Sequence, residues 1–164
     1  MKKLFIIRHA KSDQSFFGND FERPLNERGK TEAPMMALRL KEKQPMIDAF
    51  IASPAKRAKK TAQLFAQAFD KKEDDVILIT ALYHATAEVF YEEIGKLPDM
   101  IDTVAIFSHN PGITYFVNGL VTGTQVDNMP TCAVFAIQSA ISSWSGFTKA
   151  KKEFLFFDHP KLIK

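Results

Sequence analysis

The sequence has little of what disulfide-rich, metal-binding and membrane-spanning proteins depend on. Its 164 residues include one cysteine, Cys132, so no internal disulfide can form and no cysteine-based metal pattern is present. No apolar run approaches the length of a transmembrane helix. The four apolar residues before Arg8 are too few for the core of a signal peptide. These absences predict a cytoplasmic protein that contacts no membrane.

Nucleic-acid, nucleotide and serine-esterase functions also lack their usual marks. The net charge is only +3, and the lysines and arginines are spread along the chain with short clusters at 56–60 and 149–152. We therefore expect no nucleic-acid partner. No glycine-rich loop ends in Lys-Ser or Lys-Thr, and no serine stands in a Gly-x-Ser-x-Gly turn. Any chemistry must come from another arrangement of polar residues.

The apolar run from Leu4 to Ile7 predicts the first strand of a parallel sheet, because an unbroken run is typical of a strand that helices cover on both faces. Similar runs predict strands at 47–52, 76–80, 103–107, 133–137 and 153–157, and helices are predicted at 27–43, 54–69, 87–97 and 113–121. We predict a single domain over residues 1–164 in the α/β class. The predicted architecture is a three-layer α/β/α sandwich with a mostly parallel central sheet, whose last two strands pair antiparallel at an edge.

Single residues predict where two of the helices start. Asn26 is typical of an N-cap, and Ser53 is predicted to cap the second helix with Pro54 as its first residue. Pro34 lies inside the first helix, so we expect a kink or a later start there. The basic segment 143–152, which contains the only tryptophan, is predicted to be an exposed connection, with an interaction surface as the alternative.

Four basic side chains are predicted to meet at one edge of the sheet. Arg8 and His9 follow the first strand, and His109 follows the strand at 103–107. Arg57 lies in the first turn of the helix that follows the second strand. In open α/β sheets ligands bind beyond the carboxyl ends of the strands, so these residues are candidates for one site.

A cationic pocket with two imidazoles suits phosphoryl transfer, because preorganised donors stabilise charge on the equatorial oxygens of the transition state. Arg8 and Arg57 can each clamp a pair of phosphate oxygens, and the amides of a helix start also bind phosphate. A solvated surface is the alternative interpretation of the basic run at 56–60. A histidine can be the nucleophile, and neighbouring guanidinium groups disfavour its protonated form.

Three segments resemble the signatures of the histidine phosphatase (phosphoglycerate mutase-like) superfamily in order and spacing. They are Arg8-His9-Ala10, the helix start at 53–62, and Ser108-His109-Asn110-Pro111. The segments Arg23-Pro24-Leu25 and Arg28-Gly29 resemble in particular the SixA-type phosphohistidine phosphatases. The resemblance spans residues 3 to about 120.

The resemblance assigns expected roles to the four basic residues. It implies that His9 accepts the phosphoryl group, that Arg8 and Arg57 bind the phosphate, and that His109 donates to it. It also implies that the protein uses no metal and no organic cofactor. The expected substrate is a phosphorylated protein or a small molecule.

One feature departs from the larger family, whose mutases and ester phosphatases carry a carboxylic acid that protonates the leaving oxygen. At the two places where that acid would stand, this chain has the segment 82–85 without an acid, and Asn110. The remaining candidates for a proton donor or substrate contact are His84, Asp13, Glu88 and Arg23. His84 is the best placed of the donors.

Three functions stay open from the sequence. The first is a metal-independent phosphatase that acts through a phosphohistidine on His9, with a phosphohistidine or related phosphoramidate as substrate. The second is a phosphomonoesterase for small molecules, which needs an acid. The third is a phosphate-binding module without turnover, which would need the arginines but not the nucleophile. The sequence does not predict an oligomeric state.

Overall fold

Six strands form the central sheet of the computed structural model, which describes residues 1–162. The strands are β1 (Lys2–Arg8), β2 (Ala49–Ala52), β3 (Ile77–Leu78), β4 (Thr103–Ser108), β5 (Val134–Ser139) and β6 (Glu153–Asp158). Their order across the sheet is β3-β2-β4-β1-β5-β6. The first four are parallel, whereas β5 runs antiparallel to β1 and β6 antiparallel to β5. The mostly parallel sheet with an antiparallel edge is as predicted.

Helices cover both faces of the sheet. They are α1 (Glu27–Lys43), α2 (Lys56–Ala68), α3 (Ala87–Gly95) and α4 (Gly112–Asn118), with short 3-10 turns at 20–22, 73–75, 80–82 and 144–146. Because side chains alternate along a strand, Phe5 and Ile7 pack in a core with α1 and α2. Leu4 and Ile6 pack in a second core with α3 and α4. The predicted three-layer sandwich is confirmed.

The start of α2 differs from the prediction. The helix begins at Lys56 with Ala55 at the N-cap position, so Pro54 is not helical. The hydroxyl of Ser53 instead accepts a hydrogen bond from the amide of Ala55 at 3.2 Å and contacts His109. Ser53 therefore serves the site at the sheet edge rather than the helix. By contrast, Asn26 caps α1 as predicted, accepting from the amide of Gly29 at 2.9 Å.

Two other local predictions hold only in part. The strand predicted at 76–80 is only two residues long, and Ile77 and Leu78 are 50% and 42% exposed. It lies at the sheet edge with β2 as its one neighbour, so it has less to pack against. The segment 143–152 is not simply an exposed connection, because Trp144 is fully buried and its indole N–H donates to the carbonyl of Ile101 at 2.7 Å.

The topology brings the predicted site residues to one edge of the sheet. β1 lies between β4 and β5, and Arg8 is in register with Ser108. The residues that follow these two parallel strands are therefore neighbours. None of the helices within residues 1–162 has both the length and the apolar character needed to cross a membrane.

Candidate active site

His9 and His109 face each other at the ends of β1 and β4. Their ring centroids lie 5.2 Å apart with the planes inclined by 55°. Both residues are buried, with 6% and 7% of their surface exposed. Arg57, the second residue of α2, is also buried, at 5% exposure. The structure thus brings together the side chains that the sequence places at three separate strand ends.

A cavity of about 280 Å³ lies between these residues. Among residues 1–162 its lining contains no carboxylate, and it includes polar residues that the sequence pattern did not single out. The lining is formed by Arg8, His9, Lys11, Ser12, Gln14, Arg23, Arg57, His109, Asn110 and Thr131. A pocket with this many donors and no acid is suited to an anion.

The hydrogen bond of His9 defines which ring nitrogen is free. Nδ1 lies 2.8 Å from the carbonyl oxygen of Ala10. A carbonyl only accepts, so Nδ1 carries the hydrogen and Nε2 of the neutral ring carries a lone pair. Burial, together with the neighbouring His109 and the guanidinium groups of Arg8 and Arg57, holds the pKa of His9 well below its usual value. His9 is therefore neutral at pH 7 and presents a nucleophilic Nε2.

His109 is held by a residue outside the predicted set. Its Nε2 lies 2.7 Å from the hydroxyl of Ser53. Burial and the positive charge of Arg57 lower the pKa of His109 to about 3. The ring is therefore neutral at pH 7. When the Ser53 hydroxyl donates to Nε2, the hydrogen of His109 resides on Nδ1.

Three buried nitrogen atoms of this cluster have no hydrogen-bond partner within residues 1–162. They are Nε of Arg8, Nε of Arg57 and Nδ1 of His109. A buried donor without a partner costs about 1–3 kcal/mol, and more when it is charged. All three belong to residues that line the cavity. An oxyanion in the cavity is the kind of ligand that would satisfy such donors.

Asp20 organises two of the arginines, and the sequence analysis did not predict this. Arg57 donates to the backbone carbonyl of Asp20 at 2.8 Å and to its carboxylate at 3.0 Å. The same carboxylate accepts from Arg23 at 2.8 Å and from the hydroxyl of Tyr83 at 2.7 Å. These bonds, with that of Tyr83 contributing most, hold the pKa of Asp20 far below its usual value. The available signal was its position, three residues before Arg23 in a long polar loop.

The remaining candidates lie in three different places. Arg23 lines the cavity and donates to the hydroxyl of Ser12 at 2.6 Å. Asp13 is not among the lining residues, and hydrogen bonds from the hydroxyl and amide of Ser15 hold its pKa below the usual value. His84 and Glu88 line a neighbouring cavity of about 510 Å³. Of the acids proposed from sequence, only Glu88 lines a cavity that adjoins the histidines.

The neighbouring cavity, here called the side cavity, shares two residues with the first. His109 and Asn110 line both, and the side cavity also contains Ala85, Pro111 and the exposed Tyr115. Asn110 is already engaged, donating to the carbonyl of Met129 at 3.0 Å and to the side chain of Asn128 at 2.9 Å. The two cavities together form a cleft with a cationic end and a more apolar end.

No three His, Cys, Asp or Glu side chains within residues 1–162 lie together as metal ligands would. The cationic cavity is matched to an anion, and the described residues that line it include no carboxylate for a metal ion.

Comparison with known proteins agrees with the motifs. Residues 4–82 match the sequence profile of the histidine phosphatase superfamily (branch 1). This match covers 79 of the 164 residues and includes Arg8, His9 and Arg57. Two uncharacterized proteins from strains of Mycobacterium tuberculosis are each 31% identical over 105 residues, which is 64% of this chain and 63% of each relative. The chain therefore aligns with less than two thirds of the length of these curated relatives.

Several solved structures share the fold along nearly the whole chain. A protein from Agrobacterium tumefaciens assigned as a phosphohistidine phosphatase SixA has a TM-score of 0.81 at 22% identity, covering 97% of this chain and 98% of that one. The protein histidine phosphatase SixA in complex with tungstate has a TM-score of 0.79 at 22% identity, covering 94% and 95%. A mycobacterial glucosyl-3-phosphoglycerate phosphatase is less similar, with a TM-score of 0.65 at 15% identity over 94% and 97%. At these identities the likeness concerns the fold.

Proposed function

We propose that this protein is a metal-independent phosphatase that acts through a phosphohistidine on His9 and prefers phosphohistidine or related phosphoramidate substrates. The observation that carries the proposal is the free lone pair on Nε2 of His9, held inside a cluster of cationic donors. A phosphate-binding module needs the arginines, but it has no use for a nucleophile that a backbone carbonyl orients.

In the first step, Nε2 of His9 attacks the phosphorus atom. A new N–P bond forms, the bond from phosphorus to the leaving group breaks, and the leaving group departs with that electron pair. An imidazole leaving group then takes a proton from solvent. The hydrogen on Nδ1 stays in its bond to the carbonyl of Ala10, which stabilises the positive charge of the phosphorylated ring. Donors from Arg8, Arg57 and His109 surround the cavity in which the phosphoryl oxygens carry charge.

In the second step, water attacks the phosphorus atom of phosphorylated His9. The N–P bond breaks, its electron pair returns to Nε2, and inorganic phosphate leaves with the water oxygen. The displaced proton passes to the phosphate or to solvent. His9 returns to its neutral form, which its lowered pKa maintains at pH 7.

The acids near the site support the preference for phosphoramidates. A phosphate ester leaves as an alkoxide, which needs a proton from a positioned acid worth roughly 10²–10⁴ in rate. Asp20 and Asp13 have lowered pKa values, so both are ionised at pH 7 and hold no proton to give. An imidazole leaving group takes its proton from solvent, so the lack of a positioned acid slows its departure less than that of an alkoxide.

A small-molecule phosphomonoesterase is the alternative that a specific observation favours. His84 and Glu88 line the side cavity, which meets the catalytic cavity at His109 and Asn110. A donor from this pair could protonate an ester oxygen. His84 has a positive φ of 61°, which asparagine tolerates better than most residues, so His84→Asn removes the imidazole with little backbone strain.

The test is a comparison of leaving groups on the purified protein. We expect kcat/KM to fall from phosphoimidazole to p-nitrophenyl phosphate to glycerol 2-phosphate, with the aryl ester intermediate because a phenolate leaves more easily than an alkoxide. Equal rates on the alkyl ester and the phosphoramidate would contradict the preference. Loss of ester activity in His84→Asn would then identify the donor. Binding of phosphate without hydrolysis of any of the three would favour the binding module.

A further inference from the structure

A second cationic cavity adjoins the catalytic one and shares no lining residue with the side cavity. It has a volume of about 260 Å³ and shares Arg8, Lys11 and Thr131 with the catalytic cavity. The mechanism above gives it no role. Its position beside Arg8 means that a ligand in it would lie next to a bound phosphoryl group.

The lining of this second cavity is strongly basic. Arg8, Lys11, Arg28 and Lys161 line it together with His159, and no carboxylate of residues 1–162 is part of the lining. Nδ1 of His159 is buried without a hydrogen-bond partner within residues 1–162. Nε of Arg28 pairs with Glu32 at 3.1 Å, while its two terminal nitrogen groups make no hydrogen bond to the described part of the chain. Several donors therefore surround this space, and among residues 1–162 the carboxylate of Glu32 pairs with Arg28 without lining the cavity.

Close packing of α1 on the first loop places Arg28 beside Lys11. The amide of Asn26 donates to the carbonyl of Lys11 at 3.0 Å. Gly29 approaches the same carbonyl so closely that an added Cβ would lie 2.1 Å from its oxygen. Only glycine permits this approach. The first turn of α1, with Arg28, is thus held against the loop that follows β1.

The sheet register brings His159 and Lys161 to the same edge. β5 and β6 are antiparallel, and Val134 at the start of β5 is opposite Asp158 at the end of β6. The segment after β6 therefore lies beside Thr131 and the carboxyl end of β1. Arg39 of α1 pairs with the buried carboxylate of Asp158 through Nε at 3.1 Å and contacts the carbonyl of His159. This ion pair fixes the position of the segment.

We propose that the second cavity binds an anionic group, a carboxylate or a phosphate, that the substrate carries beside the phosphoryl group to be transferred. Naming the ligand as part of the substrate rests on the proposed function. In a phosphohistidine protein the anionic group is an acidic or phosphorylated side chain next to the modified histidine. In a small molecule it is a second acidic group.

The first test measures binding and needs no turnover. Orthophosphate and tripolyphosphate are titrated into the protein by calorimetry. We expect tripolyphosphate to bind the wild type about tenfold more tightly than orthophosphate, as one or two added charge-assisted contacts allow. The advantage should fall to about twofold or less in Arg28→Gln/Lys161→Gln. It should persist in the control Lys56→Gln/Lys59→Gln, which removes the same charge from exposed positions outside both cavities.

Two outcomes would overturn the proposal. If both double variants lose the advantage equally, the effect is one of overall charge and not of a site. If neither loses it, the second cavity does not hold the anion. Thermal unfolding confirms that the variants fold, and Arg28→Lys/Lys161→Arg, which keeps both charges, should retain most of the advantage.

The second test identifies the source of the anion by turnover. Phosphohistidine peptides with alanine, aspartate or phosphoserine beside the histidine are compared with phosphoimidazole. Wild type should prefer an anionic flank several-fold, and Arg28→Gln/Lys161→Gln should lose that preference while keeping its rate on phosphoimidazole. Equal loss on every substrate would contradict the assignment. If no substrate is hydrolysed, the proposed function fails, yet the binding test still decides whether the second anion site exists.

Discussion

Asp20 accepts two hydrogen bonds from the guanidinium of Arg57, one on its backbone carbonyl at 2.8 Å and one on its carboxylate at 3.0 Å. Both terminal nitrogens of the guanidinium are therefore engaged, which fixes its plane while Nε stays unpaired and buried. The arginine is held by the loop at 11–24 although it belongs to α2. Holding Arg57 in this orientation thus requires a planar guanidinium group, which can donate several hydrogen bonds in fixed directions.

Arg57→Lys is therefore expected to be a damaging change. An ammonium group is a point charge that cannot keep both bonds to Asp20 and also present a fixed donor to the phosphate. We expect kcat/KM on phosphoimidazole to fall by about 100-fold. The matched control is Lys59→Arg on the same helix, which exchanges the same two residue types at an exposed position and should keep wild-type kinetics. Unchanged kinetics in Arg57→Lys would place Arg57 outside the phosphate site.

Asn110→Asp should increase activity on alkyl phosphates. Asn110 lines both the catalytic and the side cavity, where an acid could reach a leaving oxygen. In a carboxyl group at this position, one oxygen replaces the amide nitrogen and faces the carbonyl of Met129, while the other accepts from the hydroxyl of Thr114. We expect a gain of about tenfold on glycerol 2-phosphate. The lost hydrogen bonds should cost about 1–3 kcal/mol in the free energy of unfolding.

An unchanged rate on the alkyl ester, in a variant that denaturant unfolding shows to be folded, would mean that residue 110 does not reach the leaving group. Gln67→Glu is the control for added charge, because Gln67 is exposed on α2 and lines neither cavity. That variant should leave both ester and phosphoramidate rates unchanged.

The two site histidines predict how stability depends on pH. Burial and nearby positive charge lower the pKa of His109 to about 3 and hold that of His9 well below 6.5. In the unfolded chain both titrate near 6.5. Between these pH values the unfolded state binds more protons than the folded state. The contribution of the two histidines to the free energy of unfolding is therefore fully present above pH 6.5 and falls as the pH drops toward the folded-state pKa values.

Urea unfolding at pH 7 and pH 5 checks this dependence. Between pH 7 and pH 5 the free energy of unfolding of the wild type should fall further than that of the double variant His9→Gln/His109→Gln. The expected difference is about 2 kcal/mol per histidine. Titrating carboxylates contribute equally to both proteins and cancel in the comparison. Parallel losses in the two proteins would show that the histidines are not held neutral by the fold.

Much of the fold could be predicted because the buried strands are continuous apolar runs. The positions of β1 and β4 and the N-cap Asn26 follow from local patterns. The length of β3 could not be predicted, since its exposed position at the sheet edge is decided by the whole topology. The predicted start of α2 was wrong because the hydroxyl of Ser53 forms a hydrogen bond with His109, a partner 56 residues away.

The site shows the same division. Arg8, His9 and His109 could be placed together because the carboxyl ends of parallel strands meet at one edge. The role of Asp20 could not be predicted, because it depends on how the loop at 11–24 folds back onto α2. The second cationic cavity was missed for a similar reason. It needs the register of β5 and β6, which brings His159 beside the end of β1.

The most direct test of the account is to trap the covalent intermediate. Phosphoimidazole is mixed with the protein, the reaction is stopped with alkali, in which phosphohistidine is stable, and the modified residue is mapped by mass spectrometry and phosphorus NMR. We expect one phosphoryl group, on Nε2 of His9, and none on His109 or in His9→Gln, which should keep less than about a hundredth of the wild-type rate. A phosphoryl group on another residue, or substantial turnover by His9→Gln, would contradict this expectation.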